Sequence, residues 1–153
     1  MYGIAIWGKG KGIGKIVKYQ KWALRTALGL KYNAHTTYYF KKYELLKFED
    51  IKDQFILTKL HQVARGEGHP SYNAYLTFHR KKNRTDNIFE TPFPDTQITK
   101  LPQYLLPVTW NGYKISETEF ELPFPQFKRH MKAIMLERYD PKCRKANCFI
   151  CKN

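Results

Sequence analysis

Apolar side chains in the first fifth of the chain recur at intervals of three and four. Ile13, Ile16, Val17, Leu24, Ala27 and Leu28 fit one face of an amphipathic helix from Ile13 to Leu30. The other face is basic. Lys11, Lys15, Lys18, Lys21 and Arg25 step by four, three, three and four residues, which stacks them in one stripe along the helix. Trp22 lies beside that stripe. In "KYNAHTTYYFKKYELLKFEDI", Thr36 or Thr37 caps a short helix running through Lys42, and Tyr32, Tyr38, Tyr39 and Tyr43 interleave with Lys31, Lys41 and Lys42. The next helix carries Glu49, Asp50 and Asp53 in its first turn, where the dipole favours anions. Its apolar face is Ile51, Phe55, Ile56, Leu60 and Val63, and it stops at "RGEGHP", where Gly66 supplies the cap and Pro70 prevents continuation.

Residues 67–124 change character, with six of the eight prolines and little helical period. "VTWNGYKI" predicts a β-hairpin there, because Asn-Gly between β-formers favours a two-residue type I′ turn. A last helix runs from Pro125 to about Tyr139 with Phe127, Met131, Ile134 and Met135 as its buried stripe, and Asp140-Pro141 ends it. The pattern predicts a mainly α fold: a small helical bundle, an irregular Pro-rich segment with one β-hairpin, and a Cys-containing tail. The segments are a basic Gly-rich lead-in at 1–12, a helical module at 13–66, the Pro-rich segment with hairpin and closing helix at 67–142, and the tail at 143–153.

Composition turns this outline toward a polyanionic ligand. The 153 residues carry 27 Lys/Arg against 13 Asp/Glu, a net charge of +14, yet 16% are aromatic, too many for a disordered polycation. Residues 1–82 account for +11 of that charge and residues 83–142 for none. A surplus so placed suits nucleic acid or another anionic surface. No apolar run reaches transmembrane length, "YGIAIWG" is too short for a signal sequence, and three cysteines do not make a disulfide framework. The expectation is an intracellular protein, nuclear or cytoplasmic, without a membrane partner.

Chemistry-bearing motifs are sparse. "GIAIWGKG" places Gly3, Gly8 and Lys9 at phosphate-loop spacing, but Gly10 stands where a Ser or Thr must hold magnesium, so "WGKGKGIGK" reads as a flexible basic hinge making a loose phosphate contact. Cys143, Cys148 and Cys151 have the C-x4-C-x2-C spacing of thiolates around a structural zinc, with His130 a candidate fourth ligand. The alternatives are a tail of reduced thiols and a redox role. His61, His69 and His79 fit no nucleophile or metal spacing, and no paired-Asp, H-E-x-x-H or G-x-S-x-G motif occurs. The chain is not expected to be an enzyme.

"YGIAIWG", then "QKWALRTALGLKYNAHT", then "YELLKFEDI", and later "FKRHMKAIMLERY", in that order, resemble the region downstream of the polymerase core in non-LTR (LINE-type, jockey-like) retrotransposon reverse transcriptases. The likeness covers most of the chain and is strongest over residues 2–55. It implies a thumb-like helical module that grips a template–primer duplex, with Gln20, Lys21, Ala23 and Arg25 matching its helix and Tyr32, Asn33, Ala34, His35 and Thr36 its turn. Fingers, palm and the magnesium-binding aspartates have no counterpart here, so polymerase activity is not expected of this chain alone.

The expected function is sequence-independent binding of duplex or structured DNA or RNA through its phosphates. The expected contacts are Lys11, Lys15, Lys18, Lys21 and Arg25, with Lys31, Lys41, Lys42, Arg80, Lys81 and Lys82 as further cations. Other polypeptides of a retroelement complex are candidate partners. The competing reading is an interaction subunit whose basic face docks an acidic protein.

Overall fold

The computed structural model describes residues 12–69, 89, 91 and 101–139. Helices occupy most of them: α1 Ile13–Ala27, α2 Thr37–Lys42, α3 Phe48–Ala64, α4 Pro102–Tyr113, α5 Glu117–Phe120 and α6 Phe124–Glu137. No strand occurs among the described residues. The lead-in up to Lys11, the run Arg80–Lys82 and the cysteine tail, with its proposed zinc thiolates, lie outside them. The described residues divide into two compact units, the first made of 12–51 with 130–139 and the second of 52–69, 89, 91 and 101–129.

In the first unit, α1 begins with little local support. Its N-cap Gly12 offers no side chain, and its first turn holds no acid. A basic helix so started is poorly favoured by itself, and tertiary packing must hold it. Leu24 supplies that packing, in a core with Phe40 and Tyr139 against which Leu28, Tyr39 and Leu136 lie. The helix closes as a Schellman motif: Gly29 at φ 62° donates to Thr26 O (3.2 Å) and Leu30 donates to Arg25 O (2.9 Å). α2 closes the same way, with Glu44 donating to Lys41 O (3.1 Å) and Leu45 to Phe40 O (2.8 Å). Glu44 occupies the left-handed position at φ 50°, which costs a residue with a Cβ about 1–2 kcal/mol. At its start Thr36 is the N-cap, as expected, but its side chain makes no capping bond and is buried instead.

The connection from α2 to α3 is pinned by side chains. Gln20 donates to Leu46 O and accepts from Phe48 N, both at 2.9 Å, so one amide satisfies two backbone groups on either side of Lys47. Tyr139, just after α6, is 4% exposed. Its hydroxyl accepts from Lys47 N (2.7 Å) and donates to the Asp50 carboxylate, while its carbonyl accepts from Lys41 Nζ (3.3 Å).

The second unit buries Ile56, Leu57 and Leu60 of α3, Leu105, Leu106 and Trp110 of α4, and Phe89, Ile115 and Phe127. The rings of Trp110 and Phe127 stack at 6.0 Å, and Phe89 meets Trp110 edge-on at 5.3 Å. α3 ends where the sequence predicts, with Gly66 at φ 76° donating to Val63 O (3.0 Å) and Glu67 to Gln62 O (2.8 Å). α6 starts one residue before the predicted Pro125 and buries Phe127, while Met131 and Met135 of the same stripe are buried in the first unit.

The predicted hairpin at Asn111-Gly112 is not formed. α4 runs through both residues, and the left-handed position falls on Lys114 instead. Pro102 at the first turn starts the helix, and Leu105, Leu106 and Trp110 recur at helical spacing and are buried together. Burial of that face outweighs the turn preference of Asn-Gly. Asn111 Nδ2 donates to Phe89 O (2.9 Å), which anchors the helix there. The stretch read as loops also contains α5, opened by a capping box in which Ser116 Oγ accepts from Glu119 N (3.3 Å) and Glu119 Oε2 accepts from Ser116 N (2.7 Å).

Two predictions follow from this packing. A Cβ on Gly112 meets nothing within 4 Å, so Gly112→Ala should stabilise the fold by about 0.5–1 kcal/mol in denaturant unfolding, whereas a type I′ turn would be weakened by the same change. His61 is fully buried, stacked on Phe127 at 4.1 Å with Nε2 on Phe120 O at 2.9 Å, and Nδ1 has no hydrogen-bond partner. Burial lowers its pKa below 6.5, opposed by the Phe120 carbonyl and reinforced by Arg65. The unfolded chain therefore takes the proton more readily, so this contribution to stability is complete above 6.5 and lost as pH falls below it. Thermal unfolding between about pH 7.5 and 5.5 should show a decline of at most about 1.4 kcal/mol per pH unit from this group, and His61→Gln should flatten it.

Candidate nucleic-acid interface

Successive residues of α1 turn by about 100°, so burying Leu24 decides what faces out. The opposite arc carries Lys15, Lys18, Tyr19, Trp22 and Thr26, all exposed, with Lys21 and Arg25 half-buried at its margin. Lys11, the first member of the predicted stripe, lies outside the described residues. The ion pairs among the described residues are Lys52–Asp53, Arg65–Glu67, Arg65–Glu121 and Lys132–Glu44. None involves the α1 face, whose cations are therefore not neutralised by these carboxylates.

The other predicted cations are placed differently. Arg25 Nε donates to Ala34 O at 2.9 Å, which fastens the end of α1 to the turn before α2 and fixes the guanidinium at the margin of the face. Lys31 is exposed in the turn after α1. Lys41 and Lys42 are exposed on α2, the first bonded to the Tyr139 carbonyl and the second 5.6 Å from the centre of the Tyr43 ring. His130, the proposed fourth zinc ligand, is half-buried on α6. Among the described residues no three His, Cys, Asp or Glu side chains stand close enough together to hold a metal ion.

Two features escape the sequence reading. Lys47 sits over the Tyr139 ring, 4.3 Å from its centre. Burial lowers its pKa, Asp50 opposes that, and the charge of Lys21 adds to it, so Lys47 and the α1 face share one electrostatic neighbourhood. No periodicity marks Lys47, because it lies between helices. Tyr19 is the second feature, and its signal was available, since 15, 18, 19 and 22 follow the spacing that aligned the lysines.

No described helix is long and apolar enough to cross a membrane. In comparisons with protein-family models, curated proteins and solved structures, nothing matches this chain.

The segment presenting Lys47 depends on the Tyr139 hydroxyl. Tyr139→Phe keeps the ring beneath the ammonium but removes a partner from both Lys47 N and Asp50. Urea unfolding should show a loss of about 1–3 kcal/mol, and a loss below about 0.5 kcal/mol would show that the hydroxyl does not brace the segment.

Proposed function

We propose that this chain binds nucleic acid without sequence preference, holding the phosphate backbone against the outer face of α1. The observation that carries the reading is an exposed face with Lys15 and Lys18 at its centre, Lys21 and Arg25 at its edge, and no acid anywhere in the helix. Like charges three and four residues apart weaken a helix, and cations in its first turn oppose its dipole. Such a face is intrinsically unfavourable until a polyanion lies on it. The order of motifs resembling the thumb of non-LTR retrotransposon reverse transcriptases supports the same reading, with the chain as a gripping module that has no polymerase site of its own. An acidic protein surface is the other occupant that this charge would accept.

Stability and binding should respond in opposite directions to one variant. Lys15→Glu puts an acid in the first turn of α1, where the dipole favours it, and Lys21→Glu, made together with Lys18→Glu, puts one four residues before Arg25, so helicity by circular dichroism should be kept or raised. Binding to a labelled duplex should nevertheless disappear. For the unaltered chain, engaging three or four phosphates gives a slope of about −2.7 to −3.6 in log affinity against log salt concentration. A flat salt response, or a charge-reversed variant that binds as before, excludes the reading. Partner complexes that survive nuclease treatment and need the same lysines assign the face to a protein instead.

A further inference from the structure

The outer face of α1 is not only cationic. Trp22 is 63% exposed and Tyr19 66%, while Trp110 and Tyr139 are 1% and 4% exposed. Among the described residues neither Tyr19 nor Trp22 stacks on another ring or lies beneath a cation. One exposed aromatic residue on a helix is ordinary. Here two stand three residues apart, on one side of the helix, within a face whose charged groups are all cations.

The sequence of that face is a short repeat. Lys18-Tyr19 is followed after one residue by Lys21-Trp22, a cation and a ring in the same order each time. The repeat advances about 4.5 Å along the helix axis. Phosphates alone need only the lysines, and small polar residues at 19 and 22 would serve them better than large rings left in water. The bases of an intact duplex are stacked on one another, so their faces are closed to such rings. Unpaired nucleotides offer both partners at once, a phosphate for each cation and an open base face for each ring.

We infer that this face takes unpaired nucleotides, a single strand or the unpaired end beside a duplex, with Tyr19 and Trp22 as stacking surfaces and Lys15, Lys18 and Lys21 on the phosphates. The inference rests on the phosphate-binding reading above and adds the class of nucleic acid. Tyr32, 87% exposed and directly after Lys31 in the turn beyond α1, extends the same cation–ring pairing.

Fluorescence anisotropy with a labelled oligothymidylate and a blunt duplex of equal length, each about 15 nucleotides long, tests it. The single strand should bind more tightly than the duplex. Trp22→Ala should weaken the single strand about 5- to 150-fold and leave the duplex nearly unchanged, with Trp22→Phe restoring most of the loss. Because Trp22 is largely exposed, loss of fold is not expected, and circular dichroism checks it. If Trp22→Ala leaves single-strand affinity unchanged, or weakens both ligands equally, the inference is overturned. If in addition the triple Lys→Glu variant abolishes binding of both, the phosphate reading stands without it. Failure of both ligands to bind at low salt overturns the two together. Binding of poly-glutamate with the same Trp22 dependence, and no preference for the single strand, gives the rings to a protein partner and also overturns it.

Discussion

A single buried tyrosine gathers the parts of the chain that present the cationic face. The Tyr139 ring packs with Leu24 of α1 and Phe40 of α2, its hydroxyl lies between Asp50 of α3 and the backbone of Lys47, and its carbonyl receives Lys41. Residues 24, 40–41 and 47–50 thereby meet at residue 139. Burying a phenol requires that its hydroxyl be paired, so the site admits few alternatives. Because Leu24 is held inward at this point, the opposite arc of α1, with its lysines and two rings, is held outward. The face is a consequence of the core behind it.

That dependence accounts for a helix that local rules do not favour. α1 has a glycine N-cap, no acid in its first turn, and cations three and four residues apart. Its stability comes from its apolar side and from two side-chain ties, Gln20 at its middle holding the backbone around Lys47 and Arg25 in its last turn holding Ala34. The outer surface is thus free to carry an arrangement that disfavours the isolated helix. Such local conflict with helix chemistry marks functional surfaces more often than scaffolds.

Several polar residues that look distinctive in the sequence turn out to face the protein itself. Gln20, Arg25 and Asp50 join elements of one unit to each other. Thr36 is buried. The order of these residues along the chain therefore carries information about packing, while the residues available to a ligand are plainer ones, lysines and exposed rings. In the second unit His61 has a related role, filling an aromatic core with its ring while Nε2 bonds Phe120 O.

Apolar periodicity made α1, α3 and α6 legible, and with them which side of α1 is basic, although of the apolar positions expected on α1 only Leu24 is fully buried and Ala27 is exposed. Gly66 was read as a helix end, since left-handed backbone is easiest for glycine, whereas Gly29 fell inside a helix expected to reach Leu30 and instead closes one that stops at Ala27. S-x-x-E before α5 was equally legible and went unread. Only the tertiary structure decided the fate of "VTWNGYKI", because a two-residue turn preference is worth less than burying Trp110 among Phe89, Phe120 and Phe127. The left-handed backbone at Glu44, which runs against its side chain, was likewise not legible in the sequence. For the candidate site, spacing found the lysines one helix at a time. Bringing Lys47 near Lys21 required contacts between residues far apart in the chain, and turning Arg25 toward Ala34 required the chain to double back after Gly29, neither of which helical spacing encodes.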